Sequence, residues 1–259
     1  MTTTTKFRNV KFTVADGVAR FVLSRPPLNI FNISMLNEVN RALETLVDAS
    51  DVKVLVFSSD QKAFSAGVDI GDHTQEKVFT MLDEFHGIFR SLIDLSIPTV
   101  AAVNGMALGG GCELAAFCDF VIAADNAVFG QPEIKIGAFP PLASAYFPRL
   151  MGARPAAELV LLGENFDARR AQQYGLVNKV VPPADLNKEV EALIAKVCSV
   201  SGSVLRMATR ALRIGIAASF QDTLEKVESV YFDELMALED ASEGVRAFME
   251  RRKPEWKNR

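Results

Sequence analysis

A chain of 259 residues that is 49% hydrophobic and 23% charged can build a sizeable core without disulfides or a structural metal, and this make-up excludes disordered, collagen-like and cysteine-stapled proteins. The formal net charge of -4, from 28 Lys and Arg against 32 Asp and Glu, lacks the basic footprint of a dedicated nucleic-acid binder. Three cysteines without C-x-x-C spacing (Cys112, Cys118 and Cys198) predict no zinc site and fit a reducing, cytoplasmic setting, and two histidines leave few routes to His-based catalysis.

From Phe7 to Leu23 the pattern is two strands around an Asp16-Gly17 turn, since Val10, Phe12 and Val14 alternate with polar residues. Helical spacing follows from Ser34 to about Val47, then a buried-looking strand over Val52 to Ser58. A loop from Ser59 to about Thr74 leads to a helix over Val78 to Leu95, and Pro98 opens a strand over Thr99 to Val103. After the Asn104-Gly105 turn, Gly109-Gly110-Gly111 precedes a helix expected to begin near Cys112. Strands follow at Phe120 to Ala124 and Ala127 to Phe129. Strands separated by helices predict an α/β fold with largely parallel pairing.

Beyond Glu133 the chain turns mostly helical, with helices expected over Ser144 to Leu150, Arg154 to Leu162 and Ala168 to Gln173 and a short strand at Val177 to Val181. Pro182-Pro183 reads as a joint, dividing a core over 1–182 from a helical region over 183–259 with helices at Asp185 to Val200, Ser203 to Ser219, Gln221 to Leu238 and Ser242 to Arg252. The start of the chain has no apolar signal-like run, and Pro98, Asn104 and the glycine run interrupt the least charged stretch, so no membrane segment is expected.

Two carboxylates occupy unusual contexts. Glu113 follows three glycines in an apolar stretch, and Glu133 sits in Phe129-Gly-Gln-Pro-Glu-Ile134. A glutamate among glycine, alanine and cysteine is a candidate for desolvation and a raised pKa. The alternative is that Glu113 merely favours a helix N-terminus with its charge. A glycine run entering a helix lets a ligand approach the backbone and aims free N–H groups at it, the arrangement of an oxyanion hole. Ser65-Ala-Gly-Val-Asp69 is a second glycine turn that could add a donor, or be a plain connection.

Lys62-Ala-Phe-Ser-Ala-Gly-Val-Asp-Ile70, Ala102-Val-Asn-Gly-Met-Ala-Leu-Gly-Gly-Gly-Cys-Glu-Leu114 and Phe129-Gly-Gln-Pro-Glu-Ile134, in this order, strongly resemble the crotonase superfamily of enoyl-CoA hydratases and isomerases. Gly175-Leu-Val-Asn-Lys-Val180 and Ala247-Phe-Met-Glu-Arg-Arg-Lys253 match as well, so the likeness runs from about Val18 to the end. The resemblance implies a spiral of ββα units with a C-terminal helical extension, assembled as a trimer or a dimer of trimers. It implies that the N–H groups of Val68 and Gly110 hold the thioester carbonyl of an acyl-CoA, that Glu113 activates water and that Glu133 delivers a proton to carbon. Coenzyme A arrives as part of the substrate, and no metal or other cofactor is implied. Ala66, Asp69, Ile70, Gly71 and Leu28 map onto the CoA cleft; Arg251 is a candidate phosphate contact or one of three basic residues on a solvated helix end.

The chain departs from the common hydratase pattern after Glu133, where Gly137-Ala-Phe-Pro-Pro-Leu142 replaces a glycine-rich loop. Pro141 removes a backbone donor. Phe139, Pro141 and Leu142, with Tyr146, could shape the acyl pocket for a ring or belong to the core. Phe139-Pro-Pro141, Asp72-His-Thr74 and Phe85-His-Gly-Ile-Phe89 resemble the cyclohexa-1,5-diene-1-carbonyl-CoA hydratases, which makes His73 and His86 residues to examine. Competing expectations are a double-bond isomerase on the same scaffold, for which one carboxylate suffices, and a non-catalytic or RNA-binding relative, which the acidic balance disfavours.

Overall fold

The computed structural model describes residues 3–255, with side chains described outside 3–6, 214–223, 226, 227, 230, 234, 235 and 240. The chain opens with strand β1 (Thr3–Lys6), β2 (Val10–Ala15) and β3 (Val18–Leu23), paired antiparallel in that order. Asp16 and Gly17 both have positive φ, 52° and 77°, as a two-residue turn matching strand twist requires. Helix α1 (Ile33–Glu44) begins earlier than its apolar spacing suggested because Asn32 is its cap, the side chain accepting from Met35 N at 3.0 Å.

Strand β4 (Val54–Ser59), helix α2 (Val78–Leu95) and strand β5 (Thr99–Val103) extend the sheet by parallel pairing. Short strand β6 (Met106–Leu108) leaves for a second sheet before helix α3 (Gly110–Phe117). Strand β7 (Phe120–Ala124) returns to the main sheet and β8 (Val128–Gly130) pairs with β6. This repeat of a main-sheet strand, a second-sheet strand and a helix is the spiral of ββα units. It ends through helices α4 (Pro141–Met151) and α5 (Ala153–Leu162), strand β9 (Asn165–Asp167) antiparallel to β8, helix α6 (Ala168–Gln173) and strand β10 (Lys179–Val181) parallel to β7. The main sheet thus runs β1-β2-β3-β4-β5-β7-β10, and β6-β8-β9 stands apart from it.

Strands β4, β5 and β7 are apolar on both faces because both are covered. Leu55, Phe57, Ala101 and Val121 face the main core under α1, α2 and α3. Val54, Val56, Val100 and Ile122 face helix α7 (Leu186–Cys198), the first long element after Pro182-Pro183. Helix α8 (Gly202–Ser229) is continuous across the break expected near Ser219, and ends in a π-turn over Val230–Glu234 and a 3-10 turn over Leu235–Ala237. No separate helix spans Gln221 to Leu238. Helix α9 (Glu239–Met249) follows. Strands β1, β6 and β9 escaped the periodicity reading: β1 is polar, and three-residue strands carry too little pattern to register. No single helix among the described residues is long and apolar enough to cross a membrane.

One buried arginine ties α8 to this frame. Arg213 donates to Leu92 O, to Ile97 O at 3.1 Å and to Asp119 Oδ2 at 2.8 Å, and Asp119 also accepts from Thr99 N at 2.7 Å and Thr99 Oγ1 at 2.8 Å. Removing one partner of such a pair strands the other. Arg213→Leu is expected to lower the unfolding free energy by about 2–3 kcal/mol, below the fully buried case because Asp119 keeps some solvent contact; urea denaturation measures it.

Candidate functional site

Two loops converge at the C-terminal ends of β4 and β5. The 65–68 segment pairs with its neighbours on both sides. Ser65 N donates to Met106 O at 3.1 Å and Leu108 N to Ser65 O at 2.9 Å; Phe31 N donates to Gly67 O and Asp69 N to Phe31 O, both at 2.8 Å. That pattern uses every amide around Val68 except its own. Gly110 is the first residue of α3, so its N–H has no acceptor in a preceding turn. Two free backbone donors therefore stand together.

Their closeness requires glycine. A Cβ on Gly110 would lie 2.8 Å from Val68 Cγ2 and 2.9 Å from Phe85 Cζ, and one on Gly111 would lie 2.5 Å from Ser65 O. Gly109 has φ +49°, and a Cβ there would meet Glu133 Oε1 at 2.5 Å. The glycine run belongs to the helix and its cap: α3 starts at Gly110, two residues before the sequence suggested, because small residues let it pack directly on the 65–68 loop.

Glu113, one turn into α3, is 3% exposed. Its Oε1 accepts from Ala143 N at 2.7 Å, a free N–H in the first turn of α4. Helix α4 starts at Pro141 rather than Ser144. Proline fits the first helical position because its missing N–H would have no helical partner anyway. The donor expected to be lost at Pro141 is indeed absent, and the amide two residues on serves the carboxylate.

Glu133 lies half-buried in a 3-10 turn, Pro132–Ile136, which hangs from β8. The Gln131 amide nitrogen, oriented to satisfy its neighbours, donates to both Glu133 oxygens, at 3.3 and 3.1 Å. Burial pushes both glutamates above the usual carboxylate range, and the charge of Glu133 raises Glu113 further, partly offset by the Ala143 N–H. Two such groups titrate as a unit. Burial, then the two glutamate charges, also drives the Cys112 thiol far up, so that cysteine is no thiolate nucleophile.

The two glutamates, Val68 and Gly110 border one cavity of about 320 Å³. Ala66, Ile70, Phe139 and Pro141 line it as expected, with Phe85 and Tyr231. Leu142 does not: it is fully buried in the main core, because one helical step past Pro141 turns its side chain away from the cavity. Leu28, Asp69 and Gly71 also lie outside the lining and build the loop. Leu28 O accepts from Ala66 N at 2.9 Å; Asp69 Oδ1 accepts from Gly71 N at 3.0 Å and its Oδ2 lies 3.8 Å from Arg25 Nη2. Arg251 is exposed beyond α9 at φ +54° and touches neither this cavity nor the one beside it. Tyr146 packs against Phe117 at 5.3 Å, in the core.

The histidines part ways. His73 borders the cavity, its Nδ1 donating to Asp69 O at 3.0 Å, and burial lowers its pKa. Fully buried His86 is a helix-to-helix tie instead, with Nδ1 2.5 Å from Glu228 Oε1, which also accepts from Arg90 at 3.1 Å. Sequence reasoning missed Gln131, Ala143 and Tyr231. The first stood inside a quoted motif without a role; the second acts through its backbone; the third carried no pattern.

Two residues with unpaired backbone N–H groups, bordering a cavity with two desolvated carboxylates, fit a class: enzymes that bind a carbonyl oxygen through backbone N–H groups and move protons beside it. The chain matches the enoyl-CoA hydratase/isomerase family over residues 13–259 and belongs to it. It is 40% identical over 247 residues to a probable enoyl-CoA hydratase of Mycobacterium bovis, covering 93% of this chain and 95% of that one. It is 34% identical over 247 residues to the cyclohexa-1,5-dienecarbonyl-CoA hydratase of Thauera aromatica, covering 94% and 95%. The crystal structure of an enoyl-CoA hydratase from Mycobacterium avium subsp. paratuberculosis superposes with a TM-score of 0.86 at 28% identity, covering 98% of this chain and all of that one. The crotonase resemblance read from the motifs is borne out.

The raised carboxylates make stability depend on pH. A glutamate whose folded pKa lies above its unfolded value favours the fold when protonated and loses that contribution as pH rises through the folded value. Glu113→Gln should therefore melt progressively higher than the parent as pH increases from about 5 to about 8, with the smallest difference at the acid end. Calorimetry across that range checks it; a gap that shrinks as pH rises contradicts it.

Proposed function

We propose that the protein is an enoyl-CoA hydratase, adding water across the α,β double bond of an acyl-CoA thioester. The observation that carries this reading is the juxtaposition of both Glu113 and Glu133 with the Val68 and Gly110 amides around one cavity. The relatives named as hydratases support it. The acyl carbonyl accepts from the two N–H groups. Glu113, ionised, takes a proton from water as its oxygen bonds to Cβ. The double-bond electrons pass toward the carbonyl oxygen, where the amides stabilise the enolate. As the enolate collapses, protonated Glu133 gives its proton to Cα. Each N–H of this kind typically contributes ~3–4 kcal/mol. Both carboxyls lie above the ordinary range and titrate as a unit, so the pair can supply one base and one acid; in the free site the charge of Glu133 favours the proton on Glu113, and the hydration roles require it on Glu133 once water and thioester are bound. An isomerase needs only one of these groups, so the retention of both favours hydration.

In this reading the pantetheine runs along the 66–71 loop, whose Ala66, Val68 and Ile70 line the cavity, beside Leu28. The acyl group occupies the cavity, where Phe85, Phe139 and Tyr231 supply aromatic walls beside Pro140 and Pro141. Those walls suit a flat ring, and we take a cyclic dienoyl-CoA as the favoured substrate. Assembly as a homotrimer or a dimer of trimers belongs to the same reading: Leu161, Leu162, Val204, Met207 and Leu212 are large apolar side chains left more than half exposed on α5 and α8. Three free cysteines among the described residues fit a reducing, cytoplasmic compartment.

Glu113→Gln and Glu133→Gln should each lower kcat for hydration by about 10²-fold or more while leaving CoA-ester affinity largely intact. Near-normal turnover by either variant rejects the assigned roles. Comparing kcat/KM for cyclohexa-1,5-diene-1-carbonyl-CoA and crotonyl-CoA tests the ring, and a strong preference for crotonyl-CoA rejects it. Light scattering that finds a monomer rejects the assembly.

A further inference from the structure

Behind the catalytic cavity lies a second one of about 440 Å³. It is a half-open cleft bordered by the 73–76 segment, by Gly137 and Ala138 and by the face of α9 that carries Ala241, Val245 and Met249, the last of these largely exposed. Its inner surface is largely apolar, with Glu76, Arg246 and Glu250 among its lining residues. Two side chains border both cavities: His73 and Tyr231.

Tyr231 is built as a wall. Its side chain is 2% exposed and lies edge-on to Phe139, 5.2 Å between ring centroids, with Phe232 behind it at 6.0 Å and Phe79 against Phe232 at 5.4 Å. The residue stands in the π-turn at the end of α8, a local widening of the helix that occurs preferentially at functional positions. From the other side, α9 lies directly on the backbone of the Glu133 turn, since a Cβ on Gly244 would meet Ile136 O at 2.1 Å. The second cavity is bordered by Gly137 and Ala138, the residues that follow the turn carrying Glu133. No carboxylate or free amide of the reaction faces it, so it offers room and no chemistry.

We propose that Tyr231 is a specificity-determining residue: its ring is the partition that ends the acyl pocket, restricts the enzyme to short or ring-shaped acyl groups, and separates it from a largely apolar cleft along α9 that would otherwise take a linear acyl tail. The proposal rests on the hydratase reading for its substrate class. It goes beyond that reading in assigning chain-length selection to one side chain and a destination to the excluded tail.

The ring rather than the hydroxyl does the work, which sets the experiment. The ratio of kcat/KM for trans-2-decenoyl-CoA to that for crotonyl-CoA is measured for the parent, Tyr231→Phe and Tyr231→Ala. Tyr231→Ala should raise the ratio about tenfold or more, since each added methylene that finds an apolar site contributes to discrimination. Tyr231→Phe should leave the ratio within about twofold of the parent. Val245→Trp added to Tyr231→Ala refills the cleft from the α9 side and should restore the parental ratio, which a general loosening of the site would not do. Tyr231→Leu replaces Tyr231→Ala should the latter fail to fold. An unchanged ratio in a folded Tyr231→Ala or Tyr231→Leu protein overturns the proposal.

Binding separates this proposal from the reaction assignment. Calorimetry with saturated decanoyl-CoA and butyryl-CoA reads the partition without turnover. Tighter decanoyl-CoA binding in Tyr231→Ala alone, with butyryl-CoA unchanged, supports the partition even if no variant hydrates anything, a result that would reject the hydratase reading by itself. Equal effects on both esters overturn the partition whatever the turnover.

Discussion

Two desolvated carboxylates beside one cavity, Glu113 buried and Glu133 half-buried, are the costly feature of this protein, and much of the site exists to make them tolerable. An isolated charge in such a place would shift its pKa until it became neutral. Here each glutamate is given one kind of compensation. Glu113 receives the free amide of Ala143 at the start of α4, and Glu133 receives the side chain of Gln131. Among the described residues neither has a salt bridge, which would favour both as anions. The result is a pair of carboxyls held above the ordinary range, and the proposed hydration would use one as base and the other as acid.

That constraint reaches into the backbone. Glu133 can approach the α3 N-terminus only because Gly109 has no side chain, and α3 can approach the 65–68 loop only because Gly110 and Gly111 have none. The loop in turn keeps the Val68 amide free by spending its neighbours on Phe31, Met106 and Leu108. The parallel strands β4 and β5 bring these loops to one end of the sheet, the usual place for a site in such folds. Buried arginine Arg213 anchors α8 to the starts of the interior strands β5 and β7, and the π-turn that ends α8 brings Tyr231 to the cavity. The C-terminal helices therefore contribute part of the pocket wall and leave large apolar side chains exposed on α8.

Much of this was legible in the sequence where one residue type has one physical meaning. The Asp16-Gly17 turn, the apolar runs of β4, β5 and β7, and the amphipathic α2 were read with nearly their observed limits. The glycine run beside Glu113 announced close backbone packing. What stayed hidden depends on partners remote in sequence. Leu142 looks like Phe139 in the chain, and only the direction of α4 sends one to the core and the other to the cavity. His73 and His86 are alike as letters, yet one borders the site and the other clamps α2 to α8 through Glu228. Helix starts were missed where the cap was Asn32, or where a proline opens α4, because apolar spacing marks the buried face and says little about ends.

The shared proton is the centre of the account, and it can be watched directly. Carbon-13 NMR of glutamate side-chain carboxyl groups, with Glu113 and Glu133 assigned by substitution, follows both titrations in the absence of substrate. Two resonances should titrate well above the ordinary carboxylate range, and the apparent pKa of Glu113 should fall when Glu133 is replaced by glutamine. Two resonances that titrate independently in the ordinary range would contradict it.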